Sequence, residues 1–360
     1  MIVLVRSLSK LYLKNRFTAL CLSLVLFLAS CERNKVYIDI TGPAMGTSYT
    51  IRLLPKRGSN QNVDLIKAKI DSTLESINNE MSTYVINSDI SLFNKLDKNA
   101  AIVITNNFRQ VILQSIYWSK QSNGAFDISS LPLTTAWRKG KKDREYEDKW
   151  EPPSDLEITT SLDKVGFEKI KISQNSLIKT LKGQQIDVNA IAKGWGVDHL
   201  FNLIKSFGYS NFMVEIGGEV RVSGKNINNK PWQIGIDYPV INTKPGEKIM
   251  AIAPLIDKSM ATSGNYRNFY QIGDSMIFHT IDPTTGYPAY TNMLSASVFS
   301  KTCFLADAYA TSFMVMGFEK SKQLSSSIDE IEVLLIYYDN NGEIKKYLSE
   351  GIIEKIKLIE

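Results

Sequence analysis

The sequence predicts an α+β protein with mixed or antiparallel sheets and flanking helices. Short β-branched and aromatic runs recur at Trp232–Tyr238, Ile249–Ile256, Met293–Phe299 and Ile331–Tyr338. Helical periodicities are scattered among such runs without a regular strand–helix–strand beat, which argues against a parallel α/β sheet. A chain of 360 residues, 44% of them hydrophobic, can bury a core large enough for one big domain or two fused lobes.

Taken in order, Val36–Leu54 reads as strand interrupted by Gly42-Pro-Ala-Met-Gly-Thr47, where two glycines around Met45 imply a bend. Val63, Ile66, Ile70, Leu74, Ile77 and Met81 recur at helical spacing and lead into Met81-Ser-Thr-Tyr84. A second helix is expected over about Asn107–Gln121, followed by Gly124-Ala-Phe-Asp127. Arg138–Asp155 is densely charged, lacks an apolar period and ends in Pro152-Pro153, so it reads as an exposed excursion. Asn211–Ser223 alternates as a strand, and Met260–Tyr266 reads as a small-residue turn. Met276–Ile281 is a short strand running into Asp282-Pro-Thr-Thr-Gly286, most simply a turn. Phe304–Met316 is a helix closed by Gly317, and the chain finishes with a helix near Glu319–Ser326, a strand, an Asp339–Gly342 turn and a last strand.

The net charge of +5 comes mostly from the first thirty residues, which carry Arg6, Lys10, Lys14 and Arg16 and no acid. The remainder holds 38 bases against 37 acids, too even a balance for a nucleic-acid-binding face. That basic start leads into Phe17–Leu28, an apolar run short for a bilayer span and typical of an export signal. It ends in Leu28-Ala-Ser-Cys31, which resembles a bacterial lipobox. In that motif cleavage falls before the Cys, and Cys31 is lipidated. Residues 1–30 are thus expected as a lipoprotein signal peptide and 31–360 as a single domain on a short tether reaching about residue 36. The lipid would anchor the chain to the inner or outer membrane of the cell envelope, facing the periplasm. Cys303 is then left without a disulfide partner.

The stretch Asp187-Val-Asn-Ala-Ile-Ala-Lys-Gly-Trp-Gly-Val-Asp-His-Leu200 combines an acidic loop with a Lys on the first turns of a helix. Ile191, Trp195, Leu200, Leu203 and Ile204 form the buried side of that helix, and Gly208 is placed to stop it. Lys193 and the free backbone N–H groups there suit a phosphorylated ligand. Taken alone, the stretch reads equally well as an amphipathic helix with a solvated lysine. On the later helix, Asp307 and Thr311 are four apart and share a face, offering the hard oxygen donors that Mg²⁺ takes. By itself, the pair reads more readily as an N-terminal Asp favoured by the helix dipole and a Thr bonded to its own backbone. His279 is a candidate general base, although a lone His beside a turn is more often structural. Dinucleotide fingerprints, P-loops, His-Glu-x-x-His helices and serine-hydrolase elbows are missing from the sequence.

In combination and order, these motifs resemble the FAD:protein FMN transferases, the ApbE-type flavin transferase lipoproteins. The matching segments are Ala44–Thr47, Met81–Tyr84, Gly124–Asp127, Asp187–Gly194, Glu215–Glu219, Ala261–Tyr266, His279–Gly286 and Ala306–Thr311. The resemblance implies two lobes around a central nucleotide cleft and a Mg²⁺-dependent enzyme that splits FAD at its pyrophosphate. FMN would pass to a Thr or Ser of an exported redox subunit carrying a D-x-x-[ST]-G-A-[ST]-like motif, with AMP released. It further implies that Met45, Tyr84, Ala125, Phe126, Asp127, Asp187, Lys193 and Ile281 line the FAD site. Ala190 (through its carbonyl), Asp307 and Thr311 would hold the metal, and His279 would be the base. One rival shares these residues, an FAD pyrophosphatase with water as acceptor; the other, a non-enzymatic flavin-binding or scaffolding lipoprotein, is disfavoured by the intact metal residues. Ser129-Ser130-Leu131 departs from the Thr-containing turn usual in the family, and Ala310 stands where some relatives carry a carboxylate. Asp282-x-x-Thr285-Gly286 is similar to the start of the acceptor motif, but Tyr287 and Pro288 break it, leaving a turn.

Overall fold

The computed structural model describes residues 36–55, 62–138, 151–240, 243–244, 246–265 and 280–359, and the backbone of 269–272 and 275–278. Among them, eight strands form one sheet in the order β1-β2-β6-β7-β10-β13-β14-β15. These are β1 (Ile38–Ala44), β2 (Thr47–Leu53), β6 (Phe212–Ile216), β7 (Glu219–Ser223), β10 (Ser259–Gly264), β13 (Met293–Ser300), β14 (Ile331–Tyr338) and β15 (Ile344–Leu348), and every neighbouring pair is antiparallel.

The sheet is covered on both faces, which explains why β14 carries the continuous apolar run Val333–Ile336 rather than an alternating pattern. Val333 and Leu335 point into the main core with α6 (Asn189–Ser206) and α7 (Cys303–Met316). Leu334 and Ile336 point the other way, onto a small sheet of β16 (Lys357–Leu358), β9 (Ile249–Leu255) and β8 (Trp232–Asp237). This period-two split fixes the register, since a one-residue slip would exchange the two cores. The main core continues through α1 (Val63–Met81) and α3 (Asn106–Gln121). It extends to a third sheet built from β3 (Ala101–Val103), β5 (Ser176–Lys179) and β4 (Ile170–Ser173).

Two expected elements are corrected. Asn211–Ser223 is not one strand but the hairpin β6–β7, turned by Gly217 (φ 59°) and Gly218 (φ 107°). Met260–Gly264 is not a turn but most of β10, paired along its length with β13. Its small residues misled the reading: Ala261 is fully buried under the helices, and Thr262 pairs its hydroxyl with Ser297 across the ladder at 2.8 Å. The interruption at Met45-Gly46 is the two-residue turn between β1 and β2, with φ of 48° and 77°.

Three short helices escaped the sequence reading: α2 (Asp89–Lys95), α4 (Leu131–Arg138) and α5 (Asp155–Leu162). For α5 a signal existed, because Ser154 and Glu157 form a reciprocal capping box. The surrounding charge obscured it. β11 (Phe269–Ile272) and β12 (Ser275–Phe278) make a separate two-stranded ribbon. Among the described residues no helix is long and apolar enough to cross a membrane.

Candidate nucleotide and cation site

The site begins with the way α6 meets α7. Gly194 faces α7 so closely that a Cβ there would lie 2.6 Å from the Cys303 carbonyl oxygen and 2.8 Å from the Asp307 Cβ. The missing side chain lets the two helices touch backbone to side chain, and the Gly194 N–H donates to Asp307 Oδ2 at 2.9 Å. One turn away, the Thr311 hydroxyl lies 3.4 Å from the Ala190 carbonyl oxygen and 3.4 Å from Ser263 Oγ of β10. Ala190, Asp307 and Thr311, assigned from separate motifs, are therefore brought to one helix–helix seam.

Lys193 sits on the same turns of α6 and donates to Glu219, the first residue of β7. The Gly217 turn lies over its stem, so that a Cβ on Gly217 would stand 3.3 Å from Lys193 Cδ. Burial works against the charge of Lys193, but the carboxylates of Asp307 and Glu219 prevail and raise its pKa above the ordinary lysine value. Burial likewise pushes the carboxyls of Glu219 and Asp307 up, with the Lys193 ammonium opposing it. One ammonium thus faces two buried carboxyl groups.

The opposite wall is the Gly124–Asp127 segment. Asp127 is buried and accepts from the Ser129 backbone N–H (2.7 Å), the Ser129 hydroxyl (2.7 Å) and the Phe167 N–H (3.1 Å). Ser129 accepts in turn from the Gly166 N–H, so the unusual Ser-Ser turn is closed by its own hydrogen bonds. Burial lifts the Asp127 carboxyl to about 6. The Asp187 N–H donates to the Ile128 carbonyl at 2.7 Å, tying this wall to the start of α6, where Asp187 Oδ1 accepts from Asn189. Ile281 belongs to a satellite core with Leu133, Trp137, Ile158 and Val165, and the Trp137 indole N–H donates to the Gly286 carbonyl. Asp282 closes the following turn by accepting from Thr284 N–H and Oγ1, as a turn requires.

These walls enclose a cavity of about 490 Å³, within the range of small-molecule sites. Ala125, Phe126, Asp127, Asp187, Ala190, Lys193, Ile281, Asp307 and Thr311 all line it. Met45 does not; it packs on α6, where a Cβ on Gly196 would meet its Cε at 3.0 Å. Tyr84 does not either, and its side chain is 77% exposed. His279 and Cys31 lie outside the described residues. The other histidine, His199, is a packing residue of α6, its Nδ1 3.1 Å from the Trp195 carbonyl oxygen. Lining residues that the sequence reading passed over include Glu219, Thr262, Ser263 and Arg138. Glu219 stood in a quoted motif, but only the hairpin that folds β7 back onto α6 brings it to Lys193.

Among the described residues no three His, Cys, Asp or Glu side chains gather as a metal cluster. The available donors are instead one carboxylate, one carbonyl and one hydroxyl. That all-oxygen set fits a cation such as Mg²⁺, which keeps several waters and leans on substrate phosphates.

An α+β scaffold with acids, a lysine and a mixed oxygen donor set around a nucleotide-sized cavity defines a class of site rather than a protein. The family follows from comparison. Residues 45–335 match the model of the ApbE family, and the chain belongs to it. It is 34% identical over 330 residues to the FAD:protein FMN transferase of Vibrio cholerae, covering 92% of this chain and 96% of the relative. It is 32% identical to that of Haemophilus influenzae, with 91% and 94% covered. Among solved structures, the flavin transferase ApbE from Vibrio cholerae superposes with a TM-score of 0.79 at 33% identity, covering 89% of this chain and 99% of that one. The ApbE protein of Thermotoga maritima gives 0.75 at 25% identity, with 89% and 99% covered.

Proposed function

We propose that this protein is an FAD:protein FMN transferase that moves the FMN half of FAD onto a Thr or Ser hydroxyl of an exported redox subunit. The observation that carries the reading is convergence: nine assigned residues, spread from Ala125 to Thr311, line one cavity, in a chain whose full-length relatives are named for this reaction.

In this reading the acceptor oxygen attacks the FMN-side phosphorus, a phosphoester bond forms, the pyrophosphate bond breaks and AMP leaves. Such a transfer asks the protein for positioning and charge neutralisation more than for covalent chemistry. Lys193, kept protonated by Asp307 and Glu219, presents an ammonium to the diphosphate. Phe126 and Ile281 give apolar surface to the ring systems, and His279 takes the proton of the acceptor hydroxyl. Ala190, Asp307 and Thr311 would hold Mg²⁺, which when bound neutralises charge on the phosphate oxygens. The segment 31–360 forms the transferase unit, anchored through lipid on Cys31 and facing the periplasm.

The test is incubation with FAD, Mg²⁺ and a candidate acceptor bearing the D-x-x-[ST]-G-A-[ST] motif. Protein-bound flavin and AMP are expected in equal amounts, and chelation with EDTA should stop both. Free FMN with no flavin on the acceptor would overturn transfer in favour of hydrolysis. In Asp307→Ala, turnover should be lost while the far-UV spectrum stays that of the parent.

A further inference from the structure

The helices α6 and α7 meet through a ladder of three contacts one turn apart. Asp198 faces Cys303 and Phe304, Gly194 faces Asp307, and Ala190 faces Thr311. Numbers fall by four along α6 as they rise by four along α7, so the helices run antiparallel in a single register. Ala190 belongs to one helix and Asp307 and Thr311 to the other. Their oxygens come together only while that register holds.

The end rung differs from the others because its carboxylate stands on α6 and is paired with an arginine. Asp198, buried and outside the cavity, accepts from the Cys303 N–H through Oδ1 at 2.9 Å and from the Phe304 N–H through Oδ2 at 3.0 Å. It thereby caps α7 from a neighbouring helix, while Thr302, in the local capping position, makes no side-chain cap bond. Arg221 of β7 donates to Asp198 Oδ1 at 2.7 Å, and its guanidinium lies 4.0 Å from the centre of the Phe201 ring.

We propose that Asp198 is a positioning residue for cation binding: by pinning the start of α7 to α6 it sets the register that juxtaposes Ala190, Asp307 and Thr311. The proposal rests on the reading that these three residues hold a divalent cation. It is tested on the mature chain without FAD, by Mn²⁺ titration followed by electron paramagnetic resonance and by thermal melting. Asp198→Asn should weaken Mn²⁺ binding by about tenfold or more, as loss of supporting contacts does at other metal sites, and should lower the melting temperature. Adding Thr302→Asp supplies a local cap. The double variant should regain melting temperature while Mn²⁺ binding stays weak.

If the local cap restores both, Asp198 is only a helix cap and the proposal is overturned. Parent-like Mn²⁺ affinity in Asp198→Asn, beside weakened binding in Asp307→Asn, would overturn it as well. Parent-like affinity in Asp307→Asn itself would remove the cation reading and the proposal together. Should Asp198→Asn not fold alone, the double variant carries the same comparison.

Discussion

Asp127 shows how a wall residue of the cavity connects binding to stability. Its carboxyl titrates at about 6 in the folded chain, against an ordinary 3.8, because burial outweighs its three hydrogen bonds. The folded state therefore holds this proton more tightly than the unfolded state. The stabilisation is fully present below 3.8 and is lost as pH rises through 6. The difference amounts to roughly 3 kcal/mol. Urea unfolding of the parent and of Asp127→Asn between pH 4 and pH 7 should show the parent losing stability relative to the variant over that window. Parallel curves would contradict the assignment. The place of this carboxylate in the site was legible from the eight motifs taken in order, not from Gly-Ala-Phe-Asp alone. Its burial was not, since that depends on Phe167, forty residues away, supplying an N–H at 3.1 Å.

At the scale of elements, the two glycines of α6 do different things. A Cβ on Gly194 would collide with backbone of α7, which cannot yield without separating the helices, whereas a Cβ on Gly196 would press on the end of the flexible Met45 side chain. Gly194→Ala is expected to cost about 1–3 kcal/mol, as overpacking does, and to depress turnover with it. Gly196→Ala should be the milder of the two in both denaturant midpoint and rate. Equal effects would mean that close approach at Gly194 is not what sets the seam. Long periodic elements such as α1 and α3 could be read from spacing because each presents one repeating apolar set to the core. Short ones could not: α2, α4 and the strands of the β3-β5-β4 sheet draw their order from tertiary contacts, with too few residues to show a period. Glycine misled in both directions, marking the true hairpin turn at Gly217-Gly218 yet ending the strand β10 at Gly264.

For the whole molecule, a sheet buried on both faces carries α6 and α7 on one side and the small β8-β9-β16 sheet on the other. The cavity draws on both sides, with Lys193 and Asp307 from the helices and Gly235 and Ile236 from β8. Motif order made the set of site residues legible, while their meeting in space needed this layering. The lipid anchor proposed at Cys31 makes its own prediction: Cys31→Ser should move the protein from the membrane pellet to the soluble fraction, and continued sedimentation would exclude lipid on that residue.

The most direct measurement is a crystal structure with FAD and Mn²⁺, in which the metal is located by its anomalous scattering. One peak is predicted at the α6–α7 seam, within coordination distance of the Ala190 carbonyl, Asp307 and Thr311, with the FAD diphosphate beside it and Lys193. A peak elsewhere, or FAD bound outside this cavity, would contradict the proposal.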